Sequence, residues 1–248
     1  MTCVVSKDSS RVLATLPDSV DSLALLPNGE LACGVLDSDN IYVLNSTTGK
    51  IIRIMRGHTG AVLCLIVLPT GELVSGSADT TIKMWNVSSG KLIRTLTGDT
   101  NNVNKLVVLP SGLLASASDD SSVSIWNTTT GENVIILFGS KSEVTSLAAV
   151  LPNGDVADGS IEPKIFVWNA TSGYLKLTIS NTYFFDSLAA LSNGNLASGL
   201  DNGPINIWDL KTTKLVRELI GHTDSVRDLL LLPGDRLASA SRDATIRI

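Results

Sequence analysis

The chain has 248 residues, of which 44% are hydrophobic and 17% charged, and its formal net charge is −5. About 25% charged is usual, so many segments here must be buried on both faces. The mild acidity argues against a nucleic-acid or anionic-membrane partner, since such partners need clustered Lys and Arg. Cys3, Cys33 and Cys64 are odd in number and form no CxxC, which disfavours a zinc or disulfide framework. Buried thiols in a reducing compartment, cytoplasmic or nuclear, are expected. The longest apolar run, "AVLCLIVL" (61–68), is too short to span a bilayer. No basic segment followed by an apolar one opens the chain, so no signal peptide is expected.

In chain order, "TCVV" (2–5) and "RVLATLPD" (11–18) align with the third and fourth strands of later repeats. From residue 19 the chain repeats itself. Trp85, Trp126, Trp168 and Trp208 are 41, 42 and 40 residues apart, and Leu44 stands 41 residues before Trp85. "LPNGELACG", "LPTGELVSG", "LPSGLLASA", "LPNGDVADG", "LSNGNLASG" and "LPGDRLASA" each occur once per period. The second period shows the plan. "VLCLIVL" (62–68) ends in a Pro-x-Gly hairpin turn, "ELVSGS" (72–77) follows, an Asp-containing turn leads to "TIKMWN" (81–86), and "VSSG" leads to "KLIRTLTG" (91–98). Alternation, β-branched residues and frequent turns predict four short strands per period. The expected units are 19–58, 59–99, 100–141, 142–182 and 183–222, within one domain. The remainder, 223–248, supplies three strands, and 11–18 would supply the fourth. Val4 and Ile248 claim the same repeat position, so residues 1–8 either leave the sheet or place Val5 where the missing Trp would stand.

A period near 40, Gly-His before the first strand (Gly57-His58, Gly221-His222) and Trp-Asn or Trp-Asp ending the third strand resemble WD40 repeats. The resemblance implies an all-β fold, a six-bladed β-propeller of four-stranded antiparallel blades. The N-terminal strand would pair with the C-terminal three strands to close the ring. A seven-bladed array is the alternative. Leu replaces the usual aromatic before the Pro-x-Gly turn, and Gly-His survives only twice.

His58, Ser75 or Ser77, and Asp79 have the residue types of a hydrolase triad. In the family they resemble, these residues and the tryptophan form a structural hydrogen-bond network. Trp85 would complete it in the second blade, and His222, Ser239 or Ser241, and Asp243 would form it in the sixth. No G-x-S-x-G accompanies either set, so neither is read as catalytic. "TTGK" (47–50) and "SSGK" (88–91) lack the first Gly of a phosphate loop and are hairpin turns. Asn45, Asn86, Asn127 and Asn169, although each begins N-x-[ST], are read as turn formers. No metal site or cofactor is expected from two histidines and scattered carboxylates.

The family's usual partner surface is the loop face around the central channel. The varied positions there are Asp21, Asp37 and Asp39 in the first repeat, Leu63 in the second and Asn104 in the third. Glu143 and Glu162 follow in the fourth, Tyr183, Phe184, Asp186 and Asp201 in the fifth, and Arg227 and Arg242 in the sixth. Carboxylates dominate, and "NTYFFDS" (181–187) departs most from the repeat. The expectation is a monomeric, non-catalytic scaffold for a peptide or protein segment carrying Arg or Lys. The alternatives are a module of a larger multidomain protein or a propeller-fold hydrolase.

Overall fold

The hairpin turns are built by residues that accept a left-handed backbone. Gly71, in the Pro-x-Gly turn, has φ 97°, a conformation that costs glycine nothing. The second kind of turn depends on asparagine. In Asn45, Asn86, Asn127 and Asn169 the side-chain oxygen accepts backbone N–H bonds from residues two or three further on, such as Thr47 and Thr48 onto Asn45 at 3.0 and 2.8 Å. Asp209 does the same with the amide of Lys211 at 2.8 Å.

These turns connect antiparallel strands in a computed structural model that describes residues 13–139, 142–148, 151, 153–160 and 162–248. The first sheet is β1 (Val20–Leu25), β2 (Leu31–Val35), β3 (Ile41–Leu44) and β4 (Ile51–Met55). The second is β5 (Val62–Val67), β6 (Leu73–Ser77), β7 (Thr81–Trp85) and β8 (Leu92–Thr97). The third is β9 (Val103–Val108), β10 (Leu114–Ser118), β11 (Ser122–Trp126) and β12 (Asn133–Phe138). The fourth is β13 (Val144–Ala148), β14 (Val156–Ser160), β15 (Lys164–Trp168) and β16 (Leu175–Ser180). The fifth is β17 (Phe185–Ala190), β18 (Leu196–Leu200), β19 (Ile205–Asp209) and β20 (Lys214–Leu219). The sixth is β21 (Val226–Leu232), β22 (Arg236–Ser241) and β23 (Ile246–Arg247). Every sheet is a meander in sequence order, and no helix occurs among the described residues. The fold class is all-β, with six blades of the β-propeller type.

By packing, the chain divides into two compact units, 1–106 and 107–248. In the first, Trp85 and Leu73 of the second sheet pack with Ile41, Val43 and Met55 of the first. In the second, Trp168 packs with Ile125 and Leu137, and Trp208 with Ile165, Val167 and Ile179. Trp85, Trp168 and Trp208 therefore each fill the space between their own sheet and the preceding one. Middle strands such as β6, β10, β14 and β18 are buried throughout, which explains the low charge.

Two irregularities recur. The first strand shifts register just after its leading residue, between Val20 and Ser22, Val62 and Cys64, Val144 and Ser146, Phe185 and Ser187, and Val226 and Asp228. The third strand shifts at the tryptophan, as where Met84 pairs Arg94 but Trp85 pairs Leu92. Such bulges re-aim the side chains beside them.

The expected closing strand is not found in the described residues. Residues 11 and 12 lie outside them, and 13–19 form no strand. Ala14 and Leu16 pack on Cys33, Val35, Tyr42 and Leu44 of the first sheet, just as Met55 of β4, Leu137 of β12 and Ile179 of β16 pack on the sheet that follows their own. The sixth sheet has three strands among the described residues, and its last is only Ile246–Arg247. So short a strand offers few backbone partners, and Pro17 has no N–H to give a ladder. Residues 1–8, with the alternatives posed for them, lie outside the described residues.

Candidate functional site

In the second sheet the residues His58, Asp79, Ser75 and Trp85 form one hydrogen-bonded line. Asp79 sits in the turn between β6 and β7, and its Oδ2 is 2.7 Å from His58 Nδ1. His58 Nε2 is 2.7 Å from Ser75 Oγ, which in turn accepts the indole N–H of Trp85 at 2.8 Å. The proton positions follow from the chemistry. Indole only donates, and an ionised carboxylate only accepts. Nδ1–H therefore donates to Asp79, and the Ser75 hydroxyl, already accepting from Trp85, donates to Nε2. Burial lowers the His58 pKa, against the opposing effect of Asp79, and keeps the ring neutral as this line requires. Burial also pushes Asp79 up. Hydrogen bonds from the Thr81 hydroxyl, the Thr59 amide and His58 outweigh it, and hold its pKa at about 2. Ser77 does a different job: its hydroxyl donates to the Gly60 carbonyl and accepts the Asp79 amide, both at 3.0 Å.

The sixth sheet repeats this geometry. His222 Nδ1 lies 2.8 Å from Asp243 Oδ2, and its Nε2 lies 2.8 Å from Ser239 Oγ. Ser241 bonds the Asp224 carbonyl and the Asp243 amide. Beside His222 and Ser239 lies a groove of about 830 Å³, lined also by Ile205, Ile207, Leu219 and Arg247. The corresponding place beside His58 holds Trp85.

The distances are those of a catalytic triad, but the setting is not. Ser75 is 0% exposed and His58 3%, and the serine hydroxyl is engaged by both His58 and Trp85. The Trp–Ser bond recurs without histidine at Trp126–Ser116 and Trp208–Ser198, each 2.8 Å. The fourth sheet differs. There Asp158 stands in the serine's place and takes the N–H of Trp168. Burial raises the pKa of Asp158 to about 7, even though the indole bond works the other way. Among the described residues no group of three or more His, Cys, Asp or Glu could hold a metal ion.

The rim residues lie at or beside the recurrent bulges. Asp21, Leu63, Asp186 and Arg227 are each the residue skipped in the register of a first strand. In the first unit Asp21, Asp37 and Asp39 are exposed, and Leu63 and Asn104 are half-buried. The Asp21 pKa is raised, chiefly by partial burial, with Asp18 and Asp37 adding to it. Asp37 turns the chain with φ 56°.

In the second unit Glu143 is exposed, and Glu162 lies 3.3 Å from Lys164. The fifth and sixth repeats converge more tightly. Asp186 Oδ2 accepts the Ser225 hydroxyl and stands 3.5 Å from an Arg227 nitrogen. The exposed Arg242 holds the Ser225 carbonyl through its backbone N–H at 2.9 Å. Tyr183 and Phe184 are 46% and 45% exposed. The Phe184 carbonyl accepts the Asp201 amide at 3.2 Å, and the buried Asp201 Oδ1 has no hydrogen-bond partner. Phe185, by contrast, is 1% exposed and packs edge-on to Trp208. Ser225, with Arg227 one of the varied positions that bracket the sixth first strand, was not connected with Asp186 from the sequence, because that link depends on which first strands lie side by side.

Comparison with known proteins agrees with the repeat geometry. The WD domain, G-beta repeat profile matches residues 49–86, 90–127 and 213–248. The chain carries WD40 repeats. Its sequence is 54% identical over 55 residues to WD repeat and SOCS box-containing protein 1 of Danio rerio, and 53% identical over 55 residues to that of Homo sapiens. Each of these matches spans 21% of this chain and 13% of the relative. Periodic tryptophan protein 2 of Saccharomyces cerevisiae is 39% identical over 67 residues, 26% of this chain and 7% of the relative. The chain thus matches only a small part of the length of these relatives.

Proposed function

We propose that this chain is a non-catalytic interaction scaffold, and that its second unit binds a protein or peptide segment carrying Arg or Lys at the Phe184–Asp201 loops. The observation that carries this reading is the half-buried Asp201, tied through its amide to the Phe184 carbonyl in a loop pair where Tyr183 and Phe184 stay exposed. A guanidinium or ammonium group would pair with the carboxylate, and Phe184 would cover the aliphatic stem. Asp186 contributes less than its place in the sequence promised, because Ser225 and Arg227 already engage it. Arg227 then favours an acidic residue next to the basic one in the partner.

Two further observations support the reading. WD40 repeats are generally protein-binding modules, and the triad-like serines are sealed inside the sheets. A cytoplasmic or nuclear location fits Cys33 and Cys64, both free and buried, with burial raising their pKa values to about 11 and about 12.

The test is a peptide array with Arg- and Lys-bearing sequences, probed with the wild-type chain and with a Phe184→Ala/Asp201→Asn variant. The variant should lose binding at least tenfold while its circular dichroism is unchanged. Equal binding by both proteins would overturn the site. Hydrolysis of any ester or peptide substrate that disappears in Ser75→Ala would overturn the non-catalytic reading.

A further inference from the structure

Ser75, Ser116 and Ser198 each accept an indole N–H at 2.8 Å. In the sixth sheet Ser239 holds the same place. It is 4% exposed, bonds His222 as Ser75 bonds His58, and lies on the groove of about 830 Å³. The walls of that groove match the surroundings of Trp85 residue by residue. Trp85 packs among Ile41, Val43, Met55 and Leu73. The groove is lined by Ile205, Ile207, Leu219 and Leu237, which take the same positions in the fifth and sixth sheets. Ile205 pairs Leu219 as Ile41 pairs Met55, and Ser239 follows Leu237 by two residues as Ser75 follows Leu73. The volume lies in the range of ligand pockets and exceeds that of one indole, which leaves room for the backbone that carries the ring. The ladder points to an extended segment. Leu73 of β6 pairs Trp85 of β7, whereas among the described residues β22 pairs β23 only at Ser239 and Ala240, so Leu237 has no partner on that side.

We infer that this groove binds a tryptophan side chain on an extended segment of a partner protein, with the indole N–H donating to Ser239 Oγ and the ring lying between the fifth and sixth sheets. The segment pairs with β22 at Leu237 and adds to the sheet by backbone hydrogen bonds. The apolar walls alone would accept any large hydrophobic side chain. The buried hydroxyl among them selects indole, because an occupant without an N–H removes water from the serine and returns no hydrogen bond. Arg247 stands at the mouth. Its guanidinium rests against Gly221, where the ring of Trp85 reaches Gly57 in the second sheet. Arg247 is exposed, so on binding it turns aside and stacks on the indole face. The site is distinct from the Phe184–Asp201 loops: none of Tyr183, Phe184, Asp186 and Asp201 lines the groove.

The probe is the blocked peptide Trp-Asn-Val-Ser, the sequence of residues 85–88, titrated by calorimetry into the full chain. Saturable one-to-one binding is expected, with at least a tenfold loss in Ser239→Ala. A second arm works even if that variant perturbs folding. The same peptide with 3-benzothienylalanine in place of tryptophan keeps the ring shape but has no ring N–H, and should bind the wild type roughly tenfold more weakly. N-acetyltryptophanamide, which brings the indole without the strand, should also bind at least tenfold more weakly than the peptide. No binding of the peptide, equal binding of its benzothienyl form, or equal binding of the free amide would overturn the proposal.

Discussion

Ser75 is the residue on which the second sheet's polar core turns. Its hydroxyl accepts from Trp85 and donates to His58, so Ser75→Ala strands two buried groups at once. A loss of roughly 2–5 kcal/mol in urea unfolding is expected, with Ser77→Ala costing less. Asp158 shows the opposite behaviour, because its raised pKa means that the folded state holds a proton which the unfolded chain releases. Its stabilising share is complete below the unfolded value of 3.8 and is lost as pH rises through about 7. Asp158→Asn should therefore stabilise the protein at pH 8 by roughly 1–4 kcal/mol and leave it nearly unchanged at pH 4. Melting temperatures of both proteins across that range check it. Asp79 runs the other way. Its depressed pKa stabilises the fold above 3.8, and this share is lost as pH falls through about 2. The family resemblance made the His, Ser, Asp and Trp positions legible. The protonation of Asp158 was not, since it depends on complete burial of a carboxylate among residues distant in sequence.

At the scale of the element, the turns between second and third strands carry a built-in strain. Thr80, a β-branched residue, has φ 69°, and Ser121 and Ala244 hold the same place at 72° and 65°. Asn tolerates this backbone better, so Thr80→Asn should stabilise the fold by about 0.5–1 kcal/mol in denaturant titrations. The strand positions could be read from the sequence because alternation and turn residues recur every period. The bulges could not. They are a property of pairing, and only the register shows that Asp21, Leu63, Asp186 and Arg227 are each a skipped residue. Their shared position explains why residues of such different chemistry vary there: the bulge lifts each one out of the ladder.

At the scale of the whole molecule, six recurrences of the Gly-bearing turn segment, such as "LPNGELACG", with the tryptophans keeping step, were enough to predict six blades. The expected fourth strand of the last blade, 11–18, lies partly outside the described residues; its Ala14 and Leu16 pack on the first sheet, as Leu137 of β12 packs with Trp168 and Ile179 of β16 with Trp208, although 13–19 take no strand conformation. The scaffold reading itself is decided by whether the loops of the fifth and sixth repeats hold a basic peptide. The most direct measurement is calorimetric titration of an array-selected Arg-bearing peptide into the wild-type chain and into Phe184→Ala/Asp201→Asn. Saturable one-to-one binding by the wild type, weakened at least tenfold in the variant and by replacing the peptide's Arg with Ala, is the predicted result. Binding that is indifferent to both changes would contradict it.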